Sequence, residues 1–348
     1  MTSPLRWGIC SAGIISADFV SSLQGHSDKH LVVAIAARSL ERAQKFATTF
    51  KIPTAYGSYE ELARDPNVDI VYIGAINTEH PRLSKLFLTN KKNVLCEKPL
   101  ALTLHETQDV LKTAKESDVF FMEAVWTRFF PVSAKIRELV SSGKLGDVKS
   151  MLLNFGLDLP DRERTVKREM GGGALYDMGI YMVQMTTMVF GEGPTSSHTH
   201  GFLNENGVDE MYTTVMKFPN KAMATLACTY KADYPNEVVI VGTKGRLRIP
   251  DHFWAPTDLI WSSPSGEPIE TFNFPTPESS AEYSLGPLWS GMLYEADAVK
   301  QAIQEGKKEH ALVSWKETEL LATLMEKARR DLGIVWVHEG QSPVVVLA

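Results

Sequence analysis

Lys98 closes the apolar run Asn93-Val-Leu-Cys-Glu-Lys-Pro99. A lysine at the carboxyl end of a buried strand stands on the edge where open α/β sheets bind ligands. Pro99 directly behind it forces an extended backbone, and a cis bond there would aim the lysine into the crevice. A second group, Gly171-Gly-Gly-Ala-Leu-Tyr-Asp-Met-Gly-Ile-Tyr181, leads three glycines into a helix and sets Asp177 and Tyr181 four residues apart on one helical face. A tyrosine hydroxyl, with a pKa of about 10, serves as a base near neutrality only where a nearby cation favours the phenolate. Lys98 could supply that charge. Together these residue types make an acid–base set for moving a hydroxyl proton. Structural readings stand beside the chemical ones: Lys98 in a solvated turn, Asp177 as a cap or ion-pair partner, and Tyr181 as packed core.

A third cluster is suited to binding. The opening apolar run Leu5 to Cys10 enters Ser11-Ala-Gly-Ile-Ile-Ser16 where a dinucleotide fingerprint would read G-x-G-x-x-G. Only the middle glycine, Gly13, is present, and a side chain there would hold the backbone away from a pyrophosphate at the helix N-terminus. Ser11, Gly13, Ile14 and Ile15 are the expected contacts. The next apolar run ends Ala36-Ala37-Arg38-Ser39, with no carboxylate to accept from a ribose 2′-hydroxyl. Arg38 and Arg42, one helical turn apart, could clamp a 2′-phosphate while Ser39 donates to it, which favours NADP. The alternatives are a tight structural turn at Gly13 and a solvated helix start at Arg38.

These residues need elements to hold them. The 348 residues suggest about two domains. From Leu5 to Met122, short apolar runs (Leu5 to Cys10, Leu31 to Ala37, Ile70 to Gly74, Asn93 to Cys96, Val119 to Met122) alternate with amphipathic stretches. Capping boxes at Ser58 with Glu61 and Thr103 with Glu106 mark helix starts. The alternation implies a parallel, doubly wound sheet over residues 1–125. From residue 126 to 348 the pattern changes to an α+β domain. One helix runs from about Trp126 to Val140. Strands Val148 to Gly156, Met211 to Phe218, Ala222 to Tyr230 and Val238 to Val241 follow, which suggest a mostly antiparallel sheet. Pro264 to Pro277 reads as a loop, and helices over about Ser290 to Glu305 and Ser314 to Leu332 come last.

Composition excludes several classes. Forty-two acidic against thirty-six basic residues give a net charge of −6, wrong for neutralising many phosphates, so no nucleic-acid partner is expected. Cys10, Cys96 and Cys228 have no CxxC spacing and make no disulfide framework. No leader-like segment opens the chain and nowhere do 18 apolar residues run together. The expectation is a cytoplasmic protein with no membrane partner. His198-Thr-His200 has no third ligand placed by sequence, so no metal is expected.

With these residues assembled, the chain resembles the Gfo/Idh/MocA oxidoreductases over essentially its whole length. The likeness rests on the segment around Gly13, Asn77-Thr-Glu-His80, Glu97-Lys98-Pro99 and the Gly171 to Tyr181 helix start. Trp7-Gly8-Ile9, Met122-Glu-Ala-Val-Trp-Thr-Arg-Phe-Phe-Pro131 and Asp177-Met-Gly-Ile-Tyr181 are most similar to the subgroup that oxidises aromatic trans-dihydrodiols and D-xylose. The resemblance implies a Rossmann domain followed by an α+β domain with a large, mostly antiparallel open sheet, NADP as hydride acceptor, and Lys98 and Tyr181 as the catalytic pair with Asp177 beside them. It further implies Asn77, His80, Glu97 and Arg128 at the cofactor, Trp126 and Phe155 lining the substrate pocket, and a homodimer formed through the second domain's sheet. Many members of the family carry histidine where Tyr181 stands, and Ser11 and Ser16 replace fingerprint glycines. The expected substrate is an aldose or a cyclic diol. Other sugar, inositol or biliverdin reductases of the family, and a non-catalytic NADP-sensing regulator, are the alternatives.

Overall fold

The computed structural model describes residues 3–159, 162–278 and 282–336, and contacts divide the chain into two compact units. The first unit comprises Met1–Ala134 and Asn273–Glu319, the second Lys135–Phe272 and Leu320–Ala348. The sequence groups 273–319 with the second domain; the contacts group them with the first.

In the first unit, β1 (Leu5–Cys10), α1 (Ile14–Leu23), β2 (His30–Ala36), α2 (Leu40–Phe50), β3 (Thr54–Tyr56), α3 (Tyr59–Arg64), β4 (Ile70–Ile73), α4 (His80–Thr89), β5 (Asn93–Glu97), α5 (Leu104–Ser117) and β6 (Phe121–Ala124) alternate; five of the strands fall on the apolar runs, and β3, only three residues long, has no run of its own. The strands form one six-stranded sheet in the order β3-β2-β1-β4-β5-β6, and the paired strands run parallel. All four side chains of β4 and of β6 are buried, as expected of strands covered on both faces. Ser58 and Thr103 cap α3 and α5 by accepting from the amides of Glu61 (3.3 Å) and Glu106 (3.2 Å). Each hydroxyl also donates back to the same glutamate's carboxylate. The strand order reverses between β1 and β4, so the carboxyl ends of these two strands flank the crevice of a doubly wound sheet.

The helix expected from Trp126 is interrupted. A single 3-10 turn spans Trp126–Phe129, Phe130 is extended, and α6 begins at Pro131 and ends at Ser141. Steric conflict with the proline ring keeps Phe130 out of the helical region, while Pro131 suits a first helical position, where no N–H is needed.

The second unit follows with β7 (Val148–Gly156), the short α7 (Glu163–Val166), a π-helical turn at Leu175–Gly179, and α8 (Ile180–Phe190). Then come β8 (Ser196–Leu203), β9 (Asp209–Phe218), β10 (Ala222–Thr229), β11 (Val238–Gly242), β12 (Arg246–Ile249), β13 (Asp258–Ser262) and β14 (Glu270–Asn273). They form an eight-stranded sheet in the order β14-β13-β12-β11-β7-β10-β9-β8. It is mostly antiparallel, with β7 and β10 running parallel to each other. β14 falls inside the stretch read as a loop: it is a four-residue edge strand among prolines, too short to carry a pattern of its own. Two helices close the described chain: α9 (Met292–Gln304) in the first unit, and α10 (Trp315–Asp331), whose start belongs to the first unit.

Candidate active site

The first βα turn is built on an unusual backbone. Ser11, at the position of the first fingerprint glycine, has φ +87°, a left-handed conformation that glycine adopts without penalty. Ser16, at the third, is fully buried and its hydroxyl has no hydrogen-bond partner among the described residues. The close helix–strand approach is instead carried by Gly74, just past β4, where any Cβ would collide with the Ser16 hydroxyl. Gly13 differs: its φ is an ordinary −98°, and a Cβ there would meet nothing nearer than Gly74 O at 3.5 Å. Nothing among the described residues requires glycine at 13, which is what a residue kept bare for an approaching ligand looks like. α1 also begins without a side-chain cap and without an acid in its first turn, so its positive end is open to an anion. These residues fit a dinucleotide pyrophosphate.

At the end of β2, Arg38, Ser39 and Arg42 are exposed, and neither arginine makes an ion pair among the described residues. Ser39 caps α2, its hydroxyl accepting from the Arg42 amide at 3.3 Å, and remains able to donate to a bound group. Asn77 opens a half-buried one-turn helix after β4. His80 is buried with Nδ1 2.9 Å from Pro99 O and Nε2 3.0 Å from Ala75 O, so it ties the β4 loop to the β5 loop through both ring nitrogens. Burial lowers its pKa.

Lys98 is half-buried at the end of β5, and the Lys98–Pro99 bond is cis. Glu97 is buried beside it, accepting from the Tyr72 hydroxyl at 2.8 Å and from the Lys98 amide at 3.2 Å. Sequence reasoning missed Glu123 on β6, which is 2% exposed and accepts from the Leu100 amide at 2.9 Å. Burial pushes its carboxyl up to about 7. An acid inside an apolar strand was the available signal. Arg128, 4% exposed, donates to Glu317 at 2.5 Å and Leu312 O at 2.8 Å. Trp126 is buried, stacked on Trp289 at 4.7 Å and edge-on to Phe130. The thiols of Cys10, Cys96 and Cys228 are pushed well up by burial and offer no ready thiolate.

In the second unit the glycine-led segment is a π-turn running into α8, a local widening that often accompanies functional sites. Asp177 receives both guanidinium nitrogens of Arg164 at 3.0 Å and the Tyr230 hydroxyl at 3.2 Å. Tyr230 also donates to Gly173 O at 3.1 Å. The Asp177 charge holds the Arg164 guanidinium further toward its protonated form, and Tyr181 lies near enough to act on it in the same direction. Tyr181 is buried, 6.0 Å from the ring of Phe155, which is stacked on Trp254 at 4.3 Å. Arg164, Tyr230 and Trp254 were not foreseen; Tyr230 closes a stretch read only as a strand, and Arg164 and Trp254 lie outside any motif. Beneath the segment, Asp209 is 1% exposed and its carboxylate accepts from the Leu175 amide at 2.7 Å. Among the described residues no group of His, Cys, Asp or Glu is arranged to hold a metal, and no helix is long and apolar enough to cross a membrane.

The family model described as "Oxidoreductase family, NAD-binding Rossmann fold" matches residues 5–125, and that of the GFO/IDH/MocA C-terminal domain matches 133–248. A Danio rerio protein named trans-1,2-dihydrobenzene-1,2-diol dehydrogenase is 46% identical over 339 residues, 97% of this chain and 99% of its own. One of the same name from Xenopus tropicalis is 44% identical over 333 residues, 95% and 99% of the two chains. The crystal structure of the aldose-aldose oxidoreductase of Caulobacter crescentus shares the fold at a TM-score of 0.83 and 21% identity, covering 95% of this chain and 98% of that one. The chain belongs to the Gfo/Idh/MocA oxidoreductase family, with an NAD-binding Rossmann fold in its first part.

Proposed function

We propose that the protein is an NADP-dependent dehydrogenase that oxidises a hydroxyl of aromatic trans-dihydrodiols, and by the same chemistry C1 of D-xylose and related aldoses. The observation that carries the reading is the 46% identity, over nearly the full length of both chains, to a protein named for the first of these reactions. Ser11, Gly13, Ile14 and Ile15 hold the pyrophosphate at the start of α1. Arg38, Ser39 and Arg42, exposed at the end of β2 with no neighbouring acid on that strand, take the 2′-phosphate. Asn77, His80, Glu97 and Arg128 frame the rest of the cofactor site, three of them as struts, since their side chains are engaged with protein groups. NADP+ supplies the hydride acceptor when bound.

Tyr181 takes the substrate's hydroxyl proton and the Lys98 ammonium favours its ionised form. Asp177, bound by Arg164 and Tyr230, orients Tyr181 one helical turn on. Trp126 and Phe155 flank the substrate ring. A dihydrodiol loses two electrons and two protons to give a hydroxyketone that tautomerises to a catechol, and an aldopyranose gives a lactone.

The reading includes a homodimer through the second unit's sheet. On the outer face of that sheet Leu152, 50% exposed, lies between Val239 and Thr225, with Val215 on the strand beyond Thr225 and Met223 two residues along from Thr225. The rim of that face is polar, with Arg246, Arg248, Lys217, His198 and His200. A cytoplasmic location suits three free, buried cysteines. Initial rates with NADP+ and NAD+ against benzene trans-dihydrodiol, D-xylose and D-glucose test the reading. NADPH formation with the diol or the pentose is expected, and Tyr181→Phe and Lys98→Met lower the rate by at least about 10²-fold while NADPH still binds. No turnover across the panel, or near-normal turnover in either variant, refutes it.

A further inference from the structure

The backbone around Lys98 is fastened at three successive residues by three buried side chains. Glu97 takes the Lys98 amide at 3.2 Å, His80 Nδ1 meets Pro99 O at 2.9 Å, and Glu123 takes the Leu100 amide at 2.9 Å. Glu97 and His80 sit on or beside the β5 and β4 edges, so a tight loop would place them there in any case. Glu123 is different. It is a carboxylate on the neighbouring strand β6, 2% exposed, with one oxygen on the Leu100 amide and the other, Oε2, listening to no hydrogen-bond donor among the described residues. A buried carboxyl costs several kcal/mol relative to an apolar residue of the same size, so its presence needs a return.

That return is visible in what surrounds it. Thr318 and Arg128 both stand close enough to favour its charged form. Arg128 is itself clamped between Glu317 at 2.5 Å and Leu312 O at 2.8 Å. The same stretch is pinned to β6 by Trp315, whose indole donates to Phe121 O at 3.1 Å. Residues 312–318, some 190 positions beyond β6 in the chain, thus brace the strand that holds the lysine loop.

We propose that Glu123 is a positioning residue for Lys98, fixing the lysine's backbone through the Leu100 amide and backed by Thr318 at the start of α10 and by Arg128 in the turn after β6. The proposal rests on the catalytic role given to Lys98 above. Without the carboxyl the Leu100 amide is left buried without its acceptor, the loop shifts, and the ammonium no longer holds its place. Displacement of a reacting group by about 1 Å costs up to about 10²-fold in rate. The carboxyl's charge is not needed for this, only an oxygen at the right distance, so glutamine suffices and aspartate, one methylene shorter, does not.

The test measures kcat and KM for NADP+ in Glu123→Ala, Glu123→Asp, Glu123→Gln, Lys98→Met and the Lys98→Met/Glu123→Ala double variant. Expected are a fall in kcat of about 10- to 100-fold in the alanine and aspartate variants with KM for NADP+ within about threefold, and recovery to within about threefold in the glutamine variant. The double variant is no slower than Lys98→Met alone, because both losses pass through the same ammonium. If the alanine variant does not fold, the aspartate and glutamine variants decide by themselves. Unchanged kcat in Glu123→Asp, or a glutamine variant as slow as the aspartate one, overturns the proposal. Failure of the catalytic reading itself is told apart by Lys98→Met: if that variant turns over normally, the role of Lys98 falls before Glu123 is considered.

Discussion

Asp209→Asn should flatten the pH dependence of stability in a way that can be worked out beforehand. The carboxyl lies beneath the start of the Gly171 to Tyr181 segment, accepting the Leu175 amide at 2.7 Å, with its other oxygen unpartnered among the described residues. Burial raises its pKa from an ordinary 3.8 to about 7. The folded protein therefore holds this proton more tightly than the unfolded chain. The stability it contributes is complete below the unfolded value and is lost as pH climbs through about 7. Each tenfold in proton affinity is worth about 1.4 kcal/mol, so the full span is about 4 kcal/mol. Between pH 5.5 and pH 8 the share of this one group is about 2 kcal/mol, because the unfolded carboxyl is already ionised at the lower limit. Asparagine cannot ionise but keeps an oxygen for the Leu175 amide. Urea unfolding at pH 5.5, 6.5, 7.5 and 8 is the assay, and the variant's profile should fall by about 2 kcal/mol less than that of the wild type. Parallel profiles would mean that Asp209 is ionised throughout, and the reasoning from burial would be refuted.

Two further outcomes follow from named residues. Arg38→Ala and Arg42→Ala each remove a charge-assisted contact worth about 1.5–3 kcal/mol, so KM for NADP+ should rise about tenfold or more per substitution with KM for NAD+ little changed; an unmoved NADP+ constant would end the 2′-phosphate assignment. Leu152→Asp, at the half-exposed centre of the outer sheet face, should convert a dimer to monomers in sedimentation equilibrium, and a wild type that is monomeric at micromolar concentration removes that interface from the reading.

The sheet of the first unit was readable because its strands are short continuous apolar runs separated by capped helices, and both signals are local. The candidate lysine was readable for the same reason: its strand ends at a proline. What was hidden lies between residues far apart in the chain. Ser16 looks like a defective fingerprint until Gly74, 58 positions later, is found supplying the missing room. Arg128, which the resemblance places at the cofactor, has its guanidinium paired with Glu317 from far along the chain, a contact no local pattern announces. Asp177 was open to both a structural and a chemical reading, and Arg164, thirteen residues earlier, engages both of its oxygens. β12, β13 and β14 escaped because strands of four or five residues are shorter than the window in which alternation can be told from chance.

One device recurs in both units. A buried acid accepts a backbone amide in the segment that carries a candidate catalytic side chain: Glu123 at Leu100 near Lys98, and Asp209 at Leu175 near Asp177 and Tyr181. Burial carries both acids to about 7. An oxygen of Glu123 holds the Leu100 amide in either charge state, so any scaffold contribution to a rate profile between pH 6 and 8 is expected from Asp209 rather than from Glu123. An inflection near 7 belongs to the chemistry only if it survives in Asp209→Asn, since that side chain does not titrate. One that disappears in this variant reports the firmness of a loop, and the base must then be sought from the part of the profile that remains.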